Sequence, residues 1–352
     1  MKVALVAHGD NPQYLKNVFE SEGIDLVEAK CTTESEYVDL LKDADGALIY
    51  TRPDTSKEVL EACPKLKVVS RAGVGVDSVD IKAATDLGIC VCNTPGINTT
   101  EVADHAVAML LTLSRKIREQ NEVVKKGFWS DKPDIIHSFR SSLGRIAGNT
   151  VGIIGFGNIG RAFATRIKGF GPSRIIAYDP YVDQTSADLY GVQLVDLDEV
   201  LTESDFITIH APATEETNHI INDEAFNKMK DSCILINCAR GPLVDPSALF
   251  NALKNNYISS AGIDVTEKEP ISSEDPLLTL DNLIITPHTA GSSPVSRSEG
   301  TRKQAENVIR ILKGKSPHGL ANPEVIKTIA LMKEQDNNRW SGFDSFDTSL
   351  NV

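Results

Sequence analysis

The feature that most constrains the fold is a glycine-rich turn between an apolar run and a helical pattern. Residues 151–154 are apolar and β-branched, which predicts a short buried strand. Gly155, Gly157 and Gly160 follow with the spacing G-x-G-x-x-G, and residues 158–170 are compatible with a helix. In such a unit the glycines permit a sharp turn, close approach of the backbone to a diphosphate and tight helix–strand packing. The pattern predicts a dinucleotide site in an α/β sheet.

A carboxylate at the end of the next strand supports this interpretation. Residues 174–178 are typical of a strand, and Asp179 ends it about 20 residues beyond the glycines. Its side chain is predicted to accept hydrogen bonds from an adenosine ribose and to repel a 2′-phosphate, so the predicted cofactor is NAD rather than NADP. The alternative is a glycine-rich turn in some other α/β protein, because the chain has 24 glycines.

Length and composition restrict the class of protein. A chain of 352 residues with 41% hydrophobic and 24% charged residues suits a globular protein of two domains. The net charge of −13 argues against nucleic-acid binding, and no apolar run approaches the length of a membrane span. The N-terminus predicts a first strand rather than a signal peptide. The cysteines lack zinc-type spacing and are expected to be reduced in the cytosol: Cys31, Cys63, Cys90, Cys92, Cys233 and Cys238.

Strand-like and helix-like segments alternate along the chain, which predicts parallel sheets covered by helices. Before the glycine turn, strands are predicted at 3–7, 46–50, 67–71 and 90–93. After 174–178 they recur at 192–195, 205–210, 233–238, 262–265 and 283–287, the spacing of a doubly wound sheet of six or seven strands. The first group forms a separate α/β unit without a phosphate fingerprint, which favours a substrate-side domain.

The remaining segments set the predicted domain boundaries. A helix is predicted over 101–126, as a dimer surface or equally as a buried core helix, and 129–145 is predicted to be a surface loop. A helix at 296–313 suggests that the chain returns to complete the first domain. We therefore predict a substrate domain of 1–98 plus 293–330, an NAD-binding domain of 99–292 and a C-terminal tail of 331–352. The tail is predicted either to be flexible or to dock through its aromatic residues, Trp340, Phe343 and Phe346.

Polar side chains follow three successive predicted strands. Arg240 comes after the strand at 233–238, Glu269 after that at 262–265 and His288 after that at 283–287. Because ligands of open α/β sheets bind outside the carboxyl ends of the strands, the three groups are expected to converge beside the cofactor. A guanidinium matches a carboxylate bidentately, and an imidazole paired with a carboxylate can give or take a proton. This combination suits reversible hydride transfer to a 2-oxo acid.

Each of these residues also has an ordinary structural interpretation. Such an arginine is commonly a surface ion pair, a Glu-Pro a turn and a histidine a structural group. Their joint placement on a sheet with a dinucleotide fingerprint favours the catalytic interpretation. Two glycines in residues 71–77, after the strand at 67–71, leave two alternatives equally open: a backbone nest for an anion or a tight turn.

Five stretches together resemble the D-isomer-specific 2-hydroxyacid dehydrogenase family. They are Arg71-Ala-Gly-Val-Gly-Val-Asp77, Gly155 to Gly160, Asn237-Cys-Ala-Arg-Gly241, Gly262-Ile-Asp-Val265 with Glu269-Pro270, and Pro287-His-Thr-Ala-Gly291. The resemblance implies two α/β domains of Rossmann or flavodoxin type with parallel sheets, the cofactor domain inserted into the substrate domain. It also implies a homodimer with its active site in the cleft.

Residue roles follow from the same resemblance. It implies that Arg240, Glu269 and His288 are catalytic, and that Val74 and Gly75 offer backbone N–H groups to the substrate carboxylate together with Arg240. It further implies a cofactor site lined, besides the three glycines, by Asn158, Ile159, Asp179, Pro212, Cys238 and Asp264, with Asp264 at the nicotinamide amide.

The substrate is left open. The stretch 71–77 is most similar to phosphoglycerate dehydrogenases, so 3-phosphoglycerate is one candidate, and Arg52 lies near where a phosphate would be held. Ser78, Asp104 and Thr266 depart from the usual residues of the family. A glyoxylate or hydroxypyruvate reductase is the alternative enzyme, and a non-catalytic corepressor that binds NAD(H) is the alternative outside enzymes.

Overall fold

The computed structural model describes residues 1–7, 12–335 and 338–343. They form two compact units, Met1–Asn98 with the described part of Ser293–Val352, and Thr99–Ser292. Each unit is built on a parallel sheet covered by helices. The fold class predicted from the sequence, two parallel-sheet α/β domains, is therefore confirmed. The second unit lies between two segments of the first in the chain.

Strands and helices alternate through the first 98 residues. The elements are β1 (Lys2–Val6), α1 (Pro12–Ser21), β2 (Asp25–Ala29), α2 (Glu34–Leu41), β3 (Gly46–Ile49), α3 (Lys57–Glu61), β4 (Val68–Arg71), α4 (Ile81–Asp86) and β5 (Cys90–Cys92). The strand order β2-β1-β3-β4-β5 is that of flavodoxin-like sheets. Strand β2 was not predicted, because an edge strand that is half exposed carries no continuous apolar run.

The second unit begins with four helices and continues as a seven-stranded sheet. Its elements are α5 (Thr99–Ser114), α6 (Ile117–Lys125), α7 (Phe128–Asp131), α8 (Pro133–Ser142), β6 (Thr150–Ile154), α9 (Asn158–Ile167), β7 (Arg174–Tyr178), α10 (Gln184–Asp188), β8 (Gln193–Leu194), α11 (Leu197–Glu203), β9 (Phe206–Ile209), α12 (Asp223–Lys228), β10 (Ile234–Asn237), α13 (Pro246–Lys254), β11 (Ser260–Ile263) and β12 (Leu283–Ile285). The sheet is buried on both faces, since Ile153 and Ile154 pack into different hydrophobic clusters.

The strand order of this sheet is β12-β11-β10-β9-β6-β7-β8. The direction in which successive strands are added across the sheet reverses between β6 and β9. The chain moves outward from β6 through β7 to β8 and then crosses back to the other side of β6. Open α/β sheets bind ligands outside the carboxyl ends of their strands at such a switch point. The glycine turn follows β6, so the topology places it at that position.

Two predictions made for residues 101–145 were wrong. The helix predicted over 101–126 is broken at Lys116, whose φ is +49°, into α5 and α6. The break carries neither glycine nor proline, and it allows Arg118 to donate to the carbonyl oxygens of Asp281 and Leu283. Of the two alternatives for the helix, the core interpretation holds for α5, whose inner face is buried, whereas α6 buries no residue.

The stretch predicted as a surface loop, 129–145, is largely helical. Pro133, which suggested irregular structure, occupies the first turn of α8. Proline is tolerated there because the N–H that it lacks has no acceptor within the helix.

After residue 292 the chain returns to the first unit. Helix α14 (Pro294–Leu312) starts with a capping box between Ser293 and Ser296, and α15 (Val325–Lys333) follows. Gln304 of α14 donates to the carbonyl oxygens of Ile49 and Ser70, at the ends of β3 and β4. These bonds attach α14 to the five-stranded sheet. Among the described residues, no helix combines the length and hydrophobicity that a membrane crossing requires.

The predicted separation of 331–352 as a tail is wrong for its described part. Residues 331–333 belong to α15, and Trp340 is 1% exposed within the core of the first unit. Its indole N–H donates to the carbonyl oxygen of Gly88 at 2.8 Å, and Phe343 packs edge-on against it. Phe346 lies outside the described residues. Aromatic docking, the weaker alternative in the sequence, therefore applies to Trp340 and Phe343.

This packing predicts that substitutions of the two tryptophans change the stability of the protein by different amounts. Trp340→Phe leaves the Gly88 carbonyl oxygen buried without its donor, so we expect the free energy of unfolding to fall by about 2 kcal/mol. Trp129→Phe is the matched control, because Trp129 is 68% exposed and its replacement is expected to change stability by less than about 0.5 kcal/mol. Urea unfolding followed by circular dichroism measures both. Equal effects of the two substitutions contradict the docking of Trp340.

Candidate active site

The glycine turn after β6 has the geometry of an anion-binding loop. Gly155 has φ +89°, and a Cβ there would lie 2.5 Å from the backbone nitrogen of Ala211, so only glycine fits. Gly157 precedes α9 without a side-chain cap, and the space around its Cα is open. The first N–H groups of α9 have no acceptor within the helix, and the helix dipole adds positive potential there. Gly160 is buried in the first turn. These residues fit a dinucleotide diphosphate.

Asp179 stands beside this turn at the carboxyl end of β7. Its Oδ2 accepts the N–H of Phe156 at 2.8 Å, and its Oδ1 accepts the N–H of Tyr181 at 2.9 Å. Each carboxylate oxygen has two lone pairs, so acceptor capacity remains on both. The bond to Phe156 holds the carboxylate against the glycine turn, where it could bind a ribose.

The other residues predicted to line the cofactor are distributed around the same edge of the sheet. Asn158 is exposed at the start of α9, and Ile159 is partly buried against the hydrophobic core. Pro212 is exposed in the loop that follows β9. Cys238 is 7% exposed after β10, and burial raises the pKa of its thiol. Cys238 therefore stays protonated at neutral pH.

The last three strands bring the proposed catalytic residues to one edge. In the parallel register Asn237 of β10 is opposite Ile263 of β11, which is opposite Ile285 of β12. Arg240 and His288 each come three residues after these positions, and Glu269 comes six residues after Ile263. Because neighbouring strands are about 4.8 Å apart, the three loops are adjacent at the carboxyl end of the sheet.

His288 and Glu269 form a close pair. The Nδ1 atom of His288 is 2.7 Å from Oε2 of Glu269, and both side chains are partly exposed. The other oxygen of Glu269 accepts the N–H of Thr266 at 3.2 Å, which orients the carboxylate. With Nδ1 bonded to an acceptor, Nε2 is the ring nitrogen that can exchange a proton with a ligand.

The loop that carries Arg240 packs tightly against the loop that carries Glu269. A Cβ on Gly241 would lie 2.1 Å from the carbonyl group of Thr266, so only glycine permits this approach. The side chain of Asn237 fixes the same turn, accepting the N–H of Ala239 and donating to the carbonyl oxygen of Arg240. The guanidinium of Arg240 donates to the carbonyl oxygen of Ala239 at 2.7 Å.

Asp264 is buried and connects the end of β11 to the segment after β12 through hydrogen bonds. Its side chain is 1% exposed, and it accepts hydrogen bonds from the hydroxyl of Thr286 and the N–H groups of Thr289 and Ala290. Its carbonyl oxygen accepts the N–H of His288 at 2.8 Å. The contact with a nicotinamide amide implied by the resemblance stays a prediction.

Two further polar residues of this site, His105 and Thr286, were not predicted from the sequence. His105 of α5 lies 3.0 Å from the hydroxyl of Thr286, which in turn bonds Asp264. Thr286 directly precedes the stretch Pro287 to Gly291 but has no assigned role there. The signal at His105 is a histidine within an otherwise apolar helix face, and that pattern more often marks a structural core group.

His210, at the end of β9, is held neutral. Burial lowers the pKa of its imidazole to about 3. Its ring packs against Phe163, and Nε2 lies 3.0 Å from the hydroxyl of Thr208. His210 therefore cannot serve as a proton donor at neutral pH.

Val74 and Gly75 lie in the first unit, in the loop after β4. Gly73 and Thr94 hold this loop through reciprocal backbone and hydroxyl bonds, and Asn93 donates to the carbonyl oxygen of Val74 at 2.7 Å. Within the described residues, no hydrogen bond uses the N–H of Val74 or of Gly75. Their role toward a substrate carboxylate stays a prediction.

Comparison with known proteins gives a consistent result. Residues 107–290 match the family model for the NAD-binding domain of D-isomer specific 2-hydroxyacid dehydrogenases. A glyoxylate reductase of Korarchaeum cryptofilum is 42% identical over 82% of this chain and 86% of that protein. A D-3-phosphoglycerate dehydrogenase of Archaeoglobus fulgidus is 41% identical over 77% of this chain. The match spans only 50% of the phosphoglycerate dehydrogenase.

The fold of this chain also resembles that of a solved structure with a bound cofactor. The NAD-dependent formate dehydrogenase of Staphylococcus aureus, in complex with NAD, superimposes with a TM-score of 0.75 at 30% identity. The similarity covers 89% of this chain and 94% of that one.

Proposed function

This chain belongs to the D-isomer specific 2-hydroxyacid dehydrogenase family, and on that basis we propose that it reduces a short, unphosphorylated 2-oxo acid, with glyoxylate as the first candidate. It is an NAD-dependent oxidoreductase that acts on CH–OH groups. The observation that carries the proposed chemistry is the His288–Glu269 pair, 2.7 Å apart on the strand edge that also carries Arg240.

In this proposal the chain's own residues bind the acid and supply the proton. The guanidinium of Arg240 binds the substrate carboxylate in a bidentate manner, which fixes the orientation of the adjacent carbonyl group. His288 donates a proton from Nε2 to the carbonyl oxygen, and Glu269 orients the ring through Nδ1. The bound nicotinamide supplies the hydride in this direction and accepts it in the reverse one.

The glycine turn and Asp179 are proposed to hold the cofactor. Gly155, Gly157 and Gly160 leave room for the diphosphate, whereas the Asp179 carboxylate binds the ribose. Asn158, Ile159, Pro212, Cys238 and Asp264 are proposed to complete the lining.

The assignment of Asp179 to the ribose predicts a preference for NADH over NADPH, which one substitution should reduce. Asp179→Asn keeps the size and one oxygen acceptor but removes the charge, so we expect the ratio of NADH to NADPH affinity to fall roughly tenfold. Asp188→Asn is the control, since Asp188 is an exposed acid of α10 in the same unit. Titration of the protein with each dinucleotide measures the ratio. An unchanged ratio in Asp179→Asn contradicts the assignment of Asp179 to the ribose.

The 42% identity to the relative named glyoxylate reductase and one feature of the structure support an unphosphorylated acid. Arg52, the candidate for binding a phosphate, forms an ion pair with Asp54, and both side chains are more than half exposed. 3-Phosphoglycerate remains the second candidate, supported by the 41% identity to the latter relative.

A substrate panel followed by NADH absorbance tests the proposal. We expect glyoxylate to be reduced with a higher kcat/KM than hydroxypyruvate, and both above the oxidation of 3-phosphoglycerate with NAD. A preference for 3-phosphoglycerate overturns the substrate assignment. NADH binding without oxidation by any 2-oxo acid overturns the catalytic role of these residues and favours the corepressor alternative.

The homodimer and the cytosolic location are also proposals. All six cysteines are free thiols, which suits a reducing compartment. Light scattering during size-exclusion chromatography tests the dimer, which a monomeric mass contradicts.

A further inference from the structure

We propose that His105 is a positioning residue, which acts through Thr286 and Asp264 to hold His288 in place for proton transfer. The inference deepens the proposed function, since it rests on His288 as the proton donor. It concerns a residue of α5, far in sequence from the strand ends that carry the catalytic groups. We call the hydrogen-bonded chain formed by His105, Thr286 and Asp264 the relay.

The direction of the hydrogen bonds in the relay follows from proton counting. The hydroxyl of Thr286 lies 2.5 Å from Oδ1 of Asp264 and 3.0 Å from Nε2 of His105. A hydroxyl carries one proton, and the carboxylate of Asp264 can only accept it. Thr286 therefore accepts a hydrogen bond from His105, which requires the proton of the imidazole to be on Nε2.

The relay ends on the backbone of the segment that carries His288. Oδ1 of Asp264 accepts the N–H of Thr289 at 2.9 Å, and Oδ2 accepts the N–H of Ala290 at 2.8 Å. The carbonyl oxygen of Asp264 accepts the N–H of His288 itself. Three consecutive residues are thus fixed by one aspartate, whose position depends on the third donor to its carboxylate, Thr286.

His288 needs this support because its backbone is strained. Its φ is +52°, in the left-handed region, which is unfavourable for a residue with a Cβ. A residue stays in that region only where its surroundings hold it there. The left-handed turn determines the direction of the imidazole toward Glu269, so a looser turn lowers the fraction of molecules with the productive geometry.

His105 contributes from a face of α5 that is otherwise apolar. Its neighbours on the inner face, Val102, Ala106 and Met109, are buried, whereas the side chain of His105 is 26% exposed. A polar group at this position is costly unless it is hydrogen-bonded, and the bond of His105 is to Thr286. The position therefore suits a histidine that serves the strand end rather than the packing of the helix.

Paired substitutions test the relay by kinetics. Thr286→Val removes the hydroxyl group, and His105→Leu removes the N–H donor. We expect each substitution to lower kcat about tenfold and to change the dissociation constant of NADH less than threefold. Thr286→Ser and His105→Gln keep a hydroxyl and an N–H donor, and are expected to recover most of kcat. The double variant Thr286→Val with His105→Leu should be no slower than Thr286→Val alone, because both changes break one chain of bonds. Additive losses, or no rescue by the conservative variants, overturn the proposal.

A second measurement does not depend on activity. Nitrogen-15 NMR of histidine-labelled protein without cofactor is expected to show His105 as the Nε2–H tautomer, assigned by its absence in His105→Gln. The signal should change in Thr286→Val and persist in Thr286→Ser. An Nδ1–H tautomer overturns the relay even if the enzyme is active. A wild type that shows Nε2–H but reduces no 2-oxo acid contradicts the proposed function instead and leaves the hydrogen-bond network standing.

Discussion

His288→Asn is expected to lower kcat by about 10²–10⁴-fold and to leave the dissociation constant of NADH nearly unchanged. The variant removes the proton donor to the carbonyl oxygen. Asparagine is a sharper choice than alanine, because it tolerates the left-handed backbone that His288 adopts. Steady-state kinetics with glyoxylate and NADH fluorescence titration measure the two quantities.

A matched histidine controls for general effects of the substitution. His318 also contacts a carboxylate, that of Glu306, but it belongs to the first unit and has no proposed role in the reaction. His318→Asn is expected to retain kcat within about twofold. If His288→Asn weakens NADH binding strongly and spares turnover at saturation, His288 supports the cofactor and is not the proton donor.

Arg240→Lys is expected to lower kcat/KM for the 2-oxo acid by roughly 10–100-fold, mainly through a higher KM. Lysine keeps the positive charge but cannot offer two parallel N–H donors to a carboxylate, and a hydrogen bond to a charged group contributes about 1.5–3 kcal/mol. Initial rates over a range of substrate concentrations at saturating NADH separate the two parameters.

The control for this charge-conserving change is Arg174→Lys. Arg174 is a half-exposed residue of β7 that pairs with Glu199, so its replacement is expected to leave kcat/KM unchanged. Kinetic constants of Arg240→Lys equal to those of the wild type remove Arg240 from the substrate site.

The positions of most strands could be predicted from the sequence because each buried strand is an apolar run. The glycine turn carried further information, since glycines at fixed spacing after a strand have few structural alternatives. The exposed edge strand β2 and the break at Lys116 could not be predicted. Neither has a local signal: β2 is paired on one side only, and the helix after Lys116 is bonded through Arg118 to the distant carbonyl groups of Asp281 and Leu283.

The same distinction applies to the site. Arg240, Glu269 and His288 could be proposed because parallel strands bring their carboxyl ends to one edge, whatever the details of the loops. The relay could not, because the contact of His105 with Thr286 depends on how α5 packs across the sheet. The burial of Asp264 and the left-handed turn at His288 are likewise consequences of tertiary packing.

The central claim is that a 2-oxo acid lies between the guanidinium of Arg240 and the imidazole of His288. A crystal structure of the protein with NADH and oxamate, an unreactive analogue of a 2-oxo acid, measures it most directly. We expect the oxamate carboxylate on Arg240, its amide oxygen about 2.6–3.2 Å from Nε2 of His288, and the dinucleotide diphosphate on the turn from Gly155 to Gly160. Oxamate bound away from both side chains, or a diphosphate bound elsewhere, contradicts the account.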